Sequence, residues 1–219
     1  MSYKRVIVKK FGGPEVLKVI EESTLPEPKF GEVRIKVLVT SAALTDTIIR
    51  KCQYPDVKEK PPFSPGYDMI GLVDKLGEGV TRFKIGQKVA DLTVIGAYSE
   101  YICLPESRLT LVPDELDPTE AVSLVLTYVT AYQMLYRYAK IKLKQRIHIH
   151  GAAGAVGTAI LQLGNLLDLE IYGTASKSKH ELIAGLGVIP IDYRKEDFVV
   201  SIKTNINDSV EAAFDGIRG

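Results

Sequence analysis

Residues 148–164, HIHGAAGAVGTAILQLG, constrain the fold of this chain more than any other stretch. Glycines at 151, 154 and 157 stand between a short β-like run and an apolar helical run. The order strand, sharp turn, helix brings backbone N–H groups and a helix N-terminus to face an anion. Here Gly151 permits the turn, Gly154 removes a side chain where phosphates approach, and Gly157 lets the helix pack on the sheet. Ile147 and Ile149 lie on one face of the strand, and Val156, Ile160, Leu163 and Leu167 form one stripe of the helix. The expected structure is a phosphate-binding turn; the alternative is the same tight turn with no ligand.

The end of the following strand decides which nucleotide fits. An NAD site places an acid about 20 residues beyond the glycines, where it bonds the ribose 2′-hydroxyl. Between Thr174 and His180 there is no acid, only Ala175, Ser176, Lys177, Ser178 and Lys179. Two cations and two hydroxyls suit a 2′-phosphate that a carboxylate would repel. The expected cofactor is therefore NADPH rather than NADH, against the alternative of an ordinary solvated basic loop.

Composition excludes several function classes. The 28 Lys and Arg balance 27 Asp and Glu to a net charge of +1, so there is no basic field for nucleic acid. The N-terminal residues lack the apolar core of a secretory signal, and no window approaches the apolar run of about 20 residues that spans a membrane. A soluble, cytoplasmic chain is expected. Cys52 and Cys103 are the two cysteines and form no Cys-x-x-Cys pair, which excludes a cysteine zinc lobe and points to reduced thiols.

The first 112 or so residues read as β-rich, with strands at 6–8, 33–39, 70–73, 89–92 and 98–104 and one short helix at 45–51. In the 33–39 run Val33, Ile35, Val37 and Val39 alternate with Arg34, Lys36 and Leu38, the period of a half-buried strand. A partly closed antiparallel barrel is expected. Asp117 as N-cap, Pro118 at the first helical position and Glu120 at the third then start a helix. Ala121, Leu124, Tyr128, Ala131 and Leu135 continue it as a bridge between two domains, 1–124 and 125–219. Beyond it strands at 146–150, 170–174, 188–192 and 210–215 alternate with helices at 155–167 and 178–186, the pattern of a parallel sheet with right-handed crossovers. The fold class is α/β. His148 and His150 share one face of their strand, where core packing is favoured over metal binding, and Cys52 reads as a small side chain without a paired histidine.

The stretches KKFGGPEVLKV, PPFSPGYDMIGLVDKLGEGVTRFKIGQKV, TYVTAYQML, HGAAGAVGTAILQL, YGTASKSKHE, IDYRKED and FDGIRG resemble, in this order, the medium-chain dehydrogenase/reductase superfamily. Within it they resemble the zinc-free quinone oxidoreductase branch, and GTASKSKHE is most similar to the vesicle amine transport protein-like group. The resemblance implies a GroES-like barrel followed by a Rossmann domain, with NADPH and substrate in the cleft between them. It implies hydride transfer to a small-molecule quinone or to the β-carbon of an α,β-unsaturated ketone, and a homodimer is compatible with it. The cofactor residues it implies are Gly151, Ala153, Gly154, Ala155, Val156, Gly157, Thr174, Ser176, Lys177 and Lys179, with Thr130 near the nicotinamide and Tyr193 near the adenosine phosphate. The family's usual lysine after the second strand falls on His180, so the phosphate contact is assigned to Lys179 one place earlier.

Zinc-dependent relatives carry ligands where this chain has Ala43 and Leu44, Tyr67 and Asp68, and Leu126. One carboxylate cannot hold a Zn²⁺ that needs several N, S or O ligands, so no metal is expected. Without one, the family places a tyrosine near the substrate, and TDTIIRKCQY keeps Arg50 and Tyr54. Tyr54 is the candidate hydrogen-bond donor to the developing oxyanion; the alternative is a tyrosine on the barrel surface. Leu44 and Ile48 replace the asparagine and tyrosine of many members, which leaves open a rival reading as a nucleotide-binding protein without turnover. The full Rossmann order is 3-2-1-4-5-6, and the residues here supply the first four strands. A fragment that binds the adenosine half weakly and turns over poorly is the expectation.

Overall fold

The computed structural model describes residues 1–55, 57–195, 197–206 and 209–217. The chain divides into two compact units, Met1–Leu126 and Thr127–Gly219. In the first unit the alternating run forms β3 (Glu32–Val39), with Val33 and Ile35 fully buried and Lys36 and Leu38 exposed. It pairs antiparallel with β4 (Met69–Leu76) on one side and β6 (Tyr101–Pro105) on the other. With β5 (Lys88–Asp91) and β7 (Thr110–Leu111) they make a five-stranded sheet in the order β6-β3-β4-β5-β7. Val33, Ile35, Met69, Val73, Val89 and Leu104 fill its core.

A separate hairpin of β1 (Tyr3–Val8) and β2 (Leu17–Glu22) joins this unit through the bridges Arg5↔Ser99 and Val8↔Phe63. β2 is not among the strands expected from the sequence: its Val19 is exposed, and its apolar residues do not alternate. The strand expected from 98 begins at Tyr101, residue 99 making a single bridge instead. The short helix is α1 (Leu44–Arg50), started by Asp46, whose Oδ2 accepts the Ala43 N–H at 2.9 Å.

Helix α2 (Pro118–Tyr132) starts where the cap residues place it: Asp117 Oδ1 accepts the N–H groups of Thr119 at 2.8 Å and Glu120 at 3.3 Å. A wider turn, Gln133–Tyr138, extends it. The second unit then builds a four-stranded parallel sheet from β8 (Arg146–His150), β9 (Glu170–Ala175), β10 (Ile189–Asp192) and β11 (Ala212–Asp215). The order is β10-β9-β8-β11, so the chain fills one side of β8 before crossing to the other. Helix α3 (Ala155–Asn165) follows β8, and α4 (His180–Ala184) follows β9 after a short turn. Helix α5 (Phe198–Ile206) precedes β11 and is missing from the sequence reading. Asp197 caps its first turn: its Oδ1 accepts the N–H of Val199 at 2.9 Å and of Val200 at 3.2 Å. Of the stretches that carry the resemblance, Glu196, Arg218 and Gly219 lie outside the described residues.

Candidate functional site

The four parallel strands end on one edge of the sheet, and the glycine turn leaves that edge from its centre. Gly151 has φ +80°, a left-handed conformation that glycine adopts without penalty. The turn is braced from β9: Thr174 Oγ1 accepts the Gly151 N–H at 3.2 Å, and its carbonyl accepts the Ala152 N–H at 3.0 Å. The same hydroxyl lies 2.6 Å from His150 Nδ1. Thr174 is wholly buried, so its place is under the turn as a brace.

Gly157 serves a different end from the one its spacing suggested. A Cβ there would meet Gly151 O at 2.5 Å and Ala152 O at 2.7 Å, so the glycine lets α3 close on the turn itself. Contact of α3 with the sheet falls to Gly164, where a Cβ would meet Ile171 Cδ1 at 2.7 Å. Gly164 was legible as a glycine within an apolar helical stripe. Gly154 is the N-cap of α3, in extended conformation, with no side-chain cap. Gly154 and Ala155 are exposed, Ala153 is half-buried, and Val156 packs its side chain on the core. The first turn of α3 therefore presents backbone N–H groups without a side chain to satisfy them, the condition for holding an anion.

Beside this turn, Ser176, Lys177 and Lys179 follow β9, and Tyr193 follows β10. The register ends at Asp192↔Ala175, so Tyr193 and Ser176 are the next residues beyond it on the two strands. Ser176 Oγ and Ser178 Oγ are 3.3 Å apart, and Lys177 and Lys179 are exposed. The Tyr193 ring meets His150 edge-on at 6.2 Å, and the Arg194 guanidinium lies 5.6 Å from the Tyr193 ring centre. Arg194 adds a third cation to this edge; its only signal in the sequence is its place directly after Tyr193. His180, at the usual lysine position, donates from Nε2 to Ala175 O at 3.2 Å and is turned to the backbone. Thr130 and Tyr54 are carried by other elements: Thr130 is half-buried on α2, and Tyr54 follows α1 in the first unit.

His148 is buried, and His150 is half-buried on the same strand. Phe198 of α5 stacks on His148 at 5.0 Å and on His150 at 5.5 Å. Nε2 of His148 has no hydrogen-bond partner among the described residues. Burial, helped by the neighbouring His150, pushes its imidazole down to about 4.

In the first unit, Tyr54 Oη lies 2.8 Å from Tyr67 Oη, with the rings edge-to-face at 6.0 Å. Tyr67 is buried among Val8, Val16, Ile49 and Phe63, and Tyr54, Leu92, Val94, Ile95 and Leu126 pack against that cluster. Of the positions where zinc relatives carry ligands, Tyr67 and Asp68 make hydrogen bonds within the first unit. Asp68 Oδ1 accepts the Ser41 N–H at 3.0 Å and the Ser41 hydroxyl at 2.7 Å. Arg50 is buried and donates to Gly12 O at 3.0 Å, which makes it a structural tie. Asp46 accepts from Gly66 N and Tyr98 Oη, at 3.1 Å each, yet burial still pushes its carboxyl up. Cys103 is likewise pushed up, to about 11, by burial.

Residues 29–114 match the family described as Alcohol dehydrogenase GroES-like domain. The synaptic vesicle membrane protein VAT-1 homolog of Danio rerio is 33% identical over 220 residues, covering 100% of this chain and 45% of that protein. The chain thus spans about half the length of that relative. A crystal structure of Pseudomonas syringae quinone oxidoreductase matches with a TM-score of 0.92 and 30% identity, over 99% of this chain and 67% of that one. The Escherichia coli quinone oxidoreductase complexed with NADPH matches at 0.86 and 29%, over 93% of this chain and 63% of that one. No helix among the described residues is long and apolar enough to cross a membrane. With both units matched in sequence and in structure, the chain belongs to the medium-chain dehydrogenase/reductase superfamily, in its quinone oxidoreductase branch.

Proposed function

We infer that the second unit binds NADPH at the strand-end edge of its sheet and that the protein reduces a quinone or an α,β-unsaturated carbonyl without a metal. The observation that carries this reading is the absence of an acid between Thr174 and His180, with Lys177, Lys179 and Arg194 in its place beside an uncapped helix. The residues fit the cofactor: the turn offers backbone where Cβ atoms at Gly154 and Gly157 would crowd Gly151 O. Its N–H groups suit a pyrophosphate, and the three cations with Ser176 suit a 2′-phosphate. When bound, the reduced nicotinamide supplies a hydride. The chain's own part is to hold the nucleotide and to offer the Tyr54 phenol to the substrate oxygen. Support comes also from the Escherichia coli relative, a quinone oxidoreductase complexed with NADPH.

Replacing Lys177 and Lys179 by alanine should weaken NADPH binding by roughly 1 to 3 kcal/mol and leave NADH nearly unchanged, as measured by calorimetry. Arg194→Ala should act in the same direction. Equal affinity of the unaltered chain for NADPH and NADH would overturn the cofactor assignment.

Turnover is tested by following NADPH absorbance at about 340 nm with 1,4-benzoquinone, 1,4-naphthoquinone and a simple enone. Oxidation that depends on the quinone or enone is expected. Tight NADPH binding with no oxidation of any of the three would favour the second reading, a binding protein. The exposed Leu44, in place of a polar residue of the branch, is the observation on that side.

A further inference from the structure

Two phenols carry two hydroxyl protons, and one of them lies in the bond between Tyr54 and Tyr67. Their settings differ. Tyr67 is buried, and its backbone is clamped from both sides. Before it, Gly66 at φ +107° donates to the buried Asp46 carboxylate at 3.1 Å, and a Cβ at Gly66 would meet Tyr98 N at 2.5 Å. Its own carbonyl accepts the Val94 N–H at 2.9 Å, and Val94, a β-branched residue, is held at φ +69°. A β-branched residue in that region is a true outlier, and such outliers persist only where the surroundings over-determine them. Tyr54 is only half-buried and follows the end of α1. Of the two side chains, Tyr67 is thus the fixed one and Tyr54 the one that an incoming molecule reaches.

We propose that Tyr67 is a positioning residue: its hydroxyl donates to Tyr54 Oη, fixing the Tyr54 ring and leaving the Tyr54 proton for the carbonyl oxygen of an apolar quinone or enone. A phenol that accepts a hydrogen bond is a better donor, so the pair strengthens the contact that steadies negative charge on that oxygen. Leu92, Val94, Ile95 and Leu126 around the pair match an uncharged ring and offer nothing to an ionic substrate. The inference rests on the reductase reading given above.

The test is a double-mutant cycle on Tyr54→Phe and Tyr67→Phe, both of which keep the ring. With NADPH and 1,4-naphthoquinone, Tyr54→Phe should lower kcat about hundredfold. Tyr67→Phe should lower it about tenfold. KM for NADPH should stay unchanged in both, and the double variant should be no slower than Tyr54→Phe alone. Calorimetry with 1,4-naphthoquinone and no nucleotide should repeat the pattern, Tyr67→Phe weakening binding only where Tyr54 is present. A Tyr67→Phe cost that persists undiminished in the Tyr54→Phe background marks a merely structural tyrosine and overturns the proposal, as does no cost at all. If the unaltered chain binds both molecules without turnover, the reductase reading fails, and the calorimetric cycle alone decides whether Tyr67 positions Tyr54.

Discussion

Valine in place of Gly157 should lower the stability of the chain by about 3 kcal/mol and remove its affinity for 2′,5′-ADP. The reason is the hardness of what the new side chain meets. A Cβ at this position would lie 2.5 Å from Gly151 O, 2.7 Å from Ala152 O and 2.9 Å from Ala152 C, all backbone atoms that no rotamer change can move. Relief requires α3 to lift from the turn, which would displace the N–H groups of its first turn, proposed above to face the pyrophosphate. Gly164→Ala is the comparison. Its new Cβ would meet Ile171 Cδ1 at 2.7 Å and Leu169 Cδ1 at 3.3 Å, both the ends of flexible side chains. That variant should cost about 1 kcal/mol and keep its nucleotide affinity. Urea denaturation read by circular dichroism, with calorimetry on each variant, checks both. A Gly157→Val chain as stable as the original would show that the turn has room the structure does not give it.

The second large effect is on acid stability. His148 is depressed from an ordinary 6.5 to about 4 in the folded chain, chiefly by burial. Between those values the unfolded chain binds the proton and the folded one does not, so stability falls as pH falls. The contribution of neutral His148 is fully present above about 6.5 and is lost steadily on the way down to about 4, amounting to about 3 kcal/mol. His148→Phe keeps a ring against Phe198, 5.0 Å away in the present stack, and removes the titrating group. Its unfolding free energy should therefore depend less on pH across this window, by about 3 kcal/mol, than that of the unaltered chain. Parallel curves for the two proteins from pH 7 to 4 would show that His148 is not the group that couples folding to protons.

These predictions draw on parts of the molecule that were unequally legible. The period-2 run of β3, the Asp117 cap and the glycine turn could be read directly, because each signal is complete within a few residues. Helix α5 could not. Its Val199 and Val200 are exposed, and its β-branched apolar residues read as well for a strand as for a helix. Among candidate site residues, the glycines, Lys177, Lys179 and Tyr193 all follow the ends of neighbouring parallel strands β8, β9 and β10. Thr174 changed role on folding, since a hydroxyl at the end of β9 is taken up by the neighbouring strand before any ligand can reach it.

By itself the sequence determined that a β-rich unit precedes an α/β unit and that a strand-turn-helix able to face an anion lies in the latter. Those are local facts of period, turn chemistry and residue type. The tertiary structure alone decided that Gly157 answers to Gly151 O, that Arg194 stacks on Tyr193 beside His150, and that Tyr54 meets Tyr67. Contacts of this kind depend on strand register and on backbone paths between distant residues. The order in which β8, β9 and β10 lie side by side is set by packing the whole core at once, so no short stretch of sequence contains it.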